Sequence, residues 1–193
     1  MRNTFLAVLL CTMSLSLLVQ AGTVGGKVTG VQGQSVVYVE AIAGKTFPAP
    51  AQNPVMAQSR LTFQPHILPV QKGTTVEFLN GDSVAHNVFW VSIGGNKKLA
   101  HNLGTWPQNE KRAFKFDNAG DIALYCNVHP EMNGYIVVVP TPYFALTSET
   151  GEYKIENVPD GSYSLTAWHE GTKKRSVHLD VAGDAKTDFV LTR

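Results

Sequence analysis

The stretch Tyr125-Cys126-Asn127-Val128-His129-Pro130-Glu131-Met132 decides how this chain is read. A thiol, an imidazole and a thioether follow one another at three-residue steps, so all three side chains fall in one short loop. Upstream, Ala85-His86-Asn87-Val88 supplies a second imidazole, far enough back in the chain to come from a different strand. Ile122 and Leu124 precede the loop, and Ile136, Val137 and Val138 follow it. These runs predict two apolar strands that deliver the loop and carry the chain away. Pro130 stiffens the loop, and Gly134 gives it freedom to turn back into the next strand.

A soft thiolate, two neutral imidazoles and a weak thioether form the donor set of a blue-copper centre. Cys126 supplies the thiolate, His86 and His129 the ring nitrogens, and Met132 a long axial contact. The expected cofactor is one copper per chain, alternating between Cu(I) and Cu(II). Competing readings exist for each residue. Cys126 could be a buried inert thiol, and Met132 a core-filling thioether; that leaves the two histidines unexplained. One Cys and two His could hold a catalytic zinc with a water in the fourth position, yet only Glu131 offers a nearby carboxylate. A Cys-His nucleophile pair fits a three-residue spacing in a tight loop less well than a ligand pair does. The chain is therefore read as a non-enzyme. His66, His101, His169 and His178 are read as structural or surface residues, and Trp90 and Trp106 as core.

The amino terminus reads as an export leader. Arg2 gives a positive start, an apolar stretch runs from Phe5 to Val19, and Val19-Gln20-Ala21 offers small and aliphatic residues at a cleavage site. The stretch is too short for a membrane span. Cleavage after Ala21 removes Cys11 and leaves Cys126 as the single thiol, with no internal disulfide available. A metal would protect that thiol in an oxidising compartment and would require its thiolate. The 193 residues carry 16 Lys and Arg against 15 Asp and Glu. Losing Arg2 balances the charge, which speaks against a nucleic-acid partner or a polybasic membrane patch. A periplasmic or secreted protein is expected, with no membrane span after cleavage.

The rest of the chain reads as all-β. Short alternating or β-branched runs recur between Gly, Pro, Asn and Asp, and no stretch carries a helical period. Strands are expected over 23–31, 35–42, 61–70, 75–80, 86–92, 112–117, 122–126, 135–140, 143–147, 153–158, 162–169, 176–181 and 188–192. The pattern Gly151-x-Tyr153-x-Ile155-x-Asn157-Val158-Pro159-x-Gly161-x-Tyr163-x-Leu165-x-x-Trp168 predicts a hairpin with its turn over 157–161. Residues 141–193 alone make a thin sandwich. The segment from Gly22 to Glu40 reads as its opening strands, so the chain is divided as a leader over 1–21, a β-sandwich built from 22–45 together with 141–193, and a metal domain over 46–140 set into it.

Several landmarks together carry a family resemblance: Phe63-x-Pro65, Gly73-Thr74-Thr75-Val76-Glu77-Phe78-x-Asn80, Ala85-His86-Asn87-Val88 and Tyr125-Cys126-x-x-His129. Residues 60–140 resemble the cupredoxins, the plastocyanin–azurin–amicyanin family, and the short Cys126-x-x-His129-Pro130-x-Met132 loop is most similar to amicyanin. The hairpin segment resembles the carboxypeptidase-regulatory-like, or transthyretin-like, β-sandwich. The resemblance implies a Greek-key β-sandwich or barrel beside a second small β-sandwich. It implies His86, Cys126 and His129 as equatorial ligands, Met132 as axial ligand, and Asn87, Ala85 and Pro130 backing them. Asn87 would tie the His86 strand to the ligand loop, and the exposed edge of His129 would pass electrons. It implies a redox partner protein such as a c-type cytochrome or a periplasmic dehydrogenase. A copper carrier or sensor would use the same ligands. The additional β segments at both ends depart from the simple family pattern.

Overall fold

The computed structural model describes residues 21–192. The leader expected over 1–21, with Cys11, lies outside the described residues except for Ala21, which opens the first strand. The amino-terminal strands are β1 (Ala21–Thr29) and β2 (Val36–Val39). The middle of the chain forms β3 (Val55–Ser59), β4 (Thr62–Gln64), β5 (Ile67–Gln71), β6 (Thr75–Asn80), β7 (His86–Trp90), β8 (His101–Trp106), β9 (Lys111–Lys115), β10 (Gly120–Tyr125) and β11 (Asn133–Val139). The remainder forms β12 (Phe144–Leu146), β13 (Glu152–Pro159), β14 (Gly161–Trp168), β15 (Arg175–Val181), β16 (Ala185–Lys186) and β17 (Phe189–Val190). Among the described residues the fold is all-β, with one 3-10 turn at Lys97–Leu99.

Strand alternation sorts the apolar side chains into layers. The sheet β5-β11-β10-β7-β8 faces the sheet β4-β3-β6-β9 across a core that includes Phe63, Phe78, Trp90, Trp106, Phe116, Ile122, Leu124 and Ile136. The sheet β12-β2-β14-β15 faces β13-β1-β16, with β17 also on β1, across a second core that includes Val24, Val37, Val39, Tyr153, Ile155, Tyr163 and Leu165. Thus β1, near the amino terminus, pairs with strands after residue 150, and β2 is flanked by β12 and β14. The two pairs of sheets meet at a third apolar seam of Val36, Tyr38, Ile67, Val137, Val139 and Trp168. Among the described residues, four sheets with three apolar seams make a continuous stack.

Burial on both faces follows for the strands at the middle seam. All four residues of β2 are buried. In β11, Ile136 and Val138 face the core shared with Cys126 and Met132, whereas Val137 and Val139 face the seam. This accounts for the unbroken apolar run from Tyr135 to Val139, since a strand covered on both sides loses its polar alternation.

The hairpin β13–β14 is tighter than expected, because only Asp160 lies between the strands. Tyr163 donates its hydroxyl hydrogen to the Pro159 carbonyl at 2.9 Å, and a Cβ at Gly161 would sit 2.6 Å from that hydroxyl. The single strand expected over 61–70 is two, β4 and β5, separated by a bend at Pro65-His66 where proline has no ladder donor. Strands β3 and β8 were not legible as periodic runs. Buried Gln58 disguises the inward positions of β3, and β8 is a polar edge strand whose Gly104 has φ of 83°. His101 opens β8.

The seam has a measurable consequence. Val137→Ala lowers the unfolding free energy of the full chain by about 1–3 kcal/mol in denaturant titration. On an uncovered sheet face the same change costs less than about 0.5 kcal/mol.

Candidate metal centre

The site sits at one end of the five-stranded sheet, where β7 begins and β10 ends. Tyr125 is the last residue of β10 and pairs with Phe89 of β7. The next residue, Cys126, therefore leaves the ladder beside the start of β7, where His86 stands. The Met132 N–H bonds the His129 carbonyl at 3.0 Å, closing the loop into a turn before β11 begins.

Two strands and this loop bring the predicted nitrogen and sulfur donors together. One ligand atom from each of His86, Cys126 and His129 lies within 4.8 Å of the others. The Nδ1 atoms of His86 and His129 are 3.0 Å apart, and Cys126 Sγ is 3.9 Å from His129 Nδ1. His86 and Cys126 are buried, whereas His129 is partly exposed. Met132 is 1% exposed and belongs to the same apolar cluster as Cys126.

Asn87 and Asp82 orient these groups. The Asn87 backbone N–H points at Cys126 Sγ at 3.4 Å and holds the sulfur beside the start of β7. The Asn87 side chain accepts from the Asn127 N–H at 3.3 Å and donates to Asn102 Oδ1 and the Gly104 carbonyl, both at 2.8 Å. It thereby joins β7, β8 and the loop. His86 Nε2 meets Asp82 Oδ2 at 2.9 Å. An acceptor at Nε2 places the ring hydrogen there and leaves Nδ1 a bare lone pair facing the other donors. Ala85 directly precedes His86, and Pro130 directly follows His129 in the loop.

Asp82 is the residue that sequence reading missed. Its carboxylate accepts the N–H groups of Arg60 at 2.7 Å and Leu61 at 2.9 Å. Both residues have left-handed backbones, with φ of 56° and 57°, which these bonds help to hold. Burial raises the Asp82 carboxyl, but the Leu61 and Arg60 N–H groups and the His86 ring outweigh it and hold the group below the usual carboxylate range. Asp82 lies in the Asn80-Gly81-Asp82 turn, and a turn aspartate carries no signal of a partner four residues on.

Gly134 has a different role from the one expected. Its backbone is not left-handed. Instead a Cβ there would sit 2.7 Å from Phe63 Cβ and 3.3 Å from the His66 carbonyl, so glycine serves the close approach of β11 to β4. The other histidines lie away from the group. His66 pairs with Glu170, His101 stacks on Trp90 and Phe114, buried His169 contacts Ser35 and the Gln34 carbonyl, and His178 is exposed.

The donor set suits a soft, borderline metal ion. It is mixed nitrogen and sulfur, buried on two sides, and pre-aimed before any ion arrives. Asn87→Ala should lower the stability of the metal-free chain by about 1–3 kcal/mol in denaturant unfolding, since buried partners on two strands and the loop lose their bonds together. A change under about 0.5 kcal/mol would mean that Asn87 does not tie them.

Comparison with known proteins agrees with the middle of the chain. Residues 51–139 match the copper binding proteins of the plastocyanin/azurin family. Amicyanin from Paracoccus versutus is 28% identical over 90 residues, 46% of this chain and 67% of that protein. Among solved structures, an oxidised amicyanin variant is 26% identical with a TM-score of 0.41, over 45% of this chain and 81% of that one. A copper-containing nitrite reductase from Thermus scotoductus SA-01 is 22% identical with a TM-score of 0.44, over 53% of this chain and 25% of that one. Residues 51–139, a little under half of the chain, are thus the part that is similar to the copper binding proteins of the plastocyanin/azurin family.

Proposed function

We propose that this protein is an exported single-electron carrier that holds one copper through His86, Cys126, His129 and Met132. The observation that carries the reading is the convergence of two imidazole Nδ1 atoms and one buried thiol at the loop between β10 and β11. Copper bound by such donors supplies reversible one-electron exchange between Cu(I) and Cu(II). The chain's own residues do the rest. Asp82 fixes the His86 ring, and Asn87 holds the sulfur and the loop. Buried Met132 supplies a thioether from the core side. Donors that are held in place move little when the charge they face changes, and that keeps electron exchange fast. No substrate pocket or open coordination position is required, so the role is that of a carrier and not an enzyme.

His129 is the partly exposed member of the set, and its neighbour Val128 is 48% exposed. This end of the molecule is where a redox partner docks, of the c-type cytochrome or periplasmic dehydrogenase kind. Export to a periplasm or beyond rests on the leader pattern over 1–21 and on the single remaining thiol. Among the described residues no helix is long and apolar enough to cross a membrane. The division into a copper domain over 46–140 set into a carboxypeptidase-regulatory-like sandwich of 22–45 and 141–193 is supported by the pairing of β1 with β13 and of β2 with β12 and β14.

Copper added to the metal-free chain should bind one to one and give an intense visible thiolate-to-Cu(II) band. Cys126→Ala should abolish the band. Met132→Gln should keep the copper but shift spectrum and potential; unchanged values would remove Met132 from the ligand set. Repeated oxidation and reduction without copper loss is expected. Ready transfer of the ion to a competing chelator would instead favour a copper carrier or sensor.

A further inference from the structure

The limb of the loop that carries Met132 runs straight into the seam between the two pairs of sheets. Tyr135, three residues after Met132, donates its N–H to the His66 carbonyl at 2.7 Å. The His66 ring lies edge-on to the Tyr135 ring at 5.4 Å. Residues of the far sandwich close over both. Trp168, at the end of β14, lies 5.5 Å from the Tyr135 ring. Glu170, two residues on, brings both carboxylate oxygens to 3.2 Å from His66 Nε2. Burial first, then the neighbouring Glu170 carboxylate, push the Tyr135 phenol up. A second ion pair crosses the seam at 2.8 Å, from Lys174 to Asp121. Asp121 lies near the start of β10, at the opposite end of that strand from Cys126.

We propose that Trp168 and Glu170 are positioning residues for the metal loop: through His66 and Tyr135 they clamp its exit limb, so the second sandwich governs how firmly the site keeps its ion. The clamp acts on Tyr135 directly and on Met132 through the two residues between them. Gly134 is already pressed against Phe63 and the His66 carbonyl, so the limb has no slack with which to absorb a shift of His66. The role in ion retention rests on the copper reading above; the clamp itself does not.

The experiment compares the full wild-type chain with Glu170→Gln, Glu170→Asp, Trp168→Leu and Lys174→Gln. Amide hydrogen exchange is followed on metal-free protein, and copper release to a Cu(I) chelator on loaded protein. Because the His66–Glu170 pair is partly exposed, Glu170→Gln should speed exchange at the Tyr135 amide by about threefold. Glu170→Asp should restore most of the protection, and Trp168→Leu should exceed the Gln variant. Copper release should rise by up to about tenfold in Glu170→Gln. Lys174→Gln, which breaks the remote ion pair, should change neither. Unaltered Tyr135 exchange in Glu170→Gln, or equal acceleration by Lys174→Gln, would overturn the clamp. A wild-type chain that takes up no copper would overturn the functional reading and the retention role, while exchange still decides the clamp.

Discussion

The structure depends on β11 being covered on both faces. One strand must fill the core behind the Cys-His loop with Ile136 and Val138, and seal the seam to the second sandwich with Val137 and Val139. It also pairs with β10 on one edge and β5 on the other. The loop that holds Cys126, His129 and Met132 hangs between this strand and β10, so its lower end belongs to the most constrained part of the molecule. A short loop on such a base has few conformations left, so its donor atoms are held in place.

The same constraint explains the electrostatics of the site. His86 and Cys126 are buried among apolar side chains, where an unpaired polar atom is costly. Each has a partner outside the ligand group: Asp82 for the ring and the Asn87 N–H for the sulfur. These partners leave the remaining donor atoms facing inward. An imidazole pair, one ring buried and one partly exposed, with Nδ1 atoms 3.0 Å apart and a thiol beside it is a poor arrangement for packing alone and a suitable one for a cation.

Much of this was legible in the residues. Periodicity identified the all-β class and the strands flanking the loop, because β6 and β10 alternate in burial and β11 is continuously apolar. The spacing of Cys126, His129 and Met132 singled out the loop, and the neighbours of His86 singled out its partner. That residues 22–45 share a sandwich with 141–193 is read from the thinness of the latter and from Gly22–Glu40 looking like opening strands; which strands pair is not encoded locally. Three features escaped. Asp82 sits in a turn whose partner is set by tertiary folding. Strands β3 and β8 lack alternation, since Gln58 is a polar residue in a core position and β8 is a polar edge. The seam contacts of Trp168 and Glu170 join residues more than thirty positions from Tyr135 in sequence, and no local pattern encodes them.

The central claim is that one imidazole from β7 and a thiolate and an imidazole from the β10–β11 loop grip a single copper ion. X-ray absorption at the copper edge of the loaded full-length chain tests it most directly. The account predicts one sulfur and two imidazole nitrogens as the near neighbours of the metal, with the sulfur missing in Cys126→Ala. A shell of nitrogen and oxygen alone in the wild-type protein would contradict it.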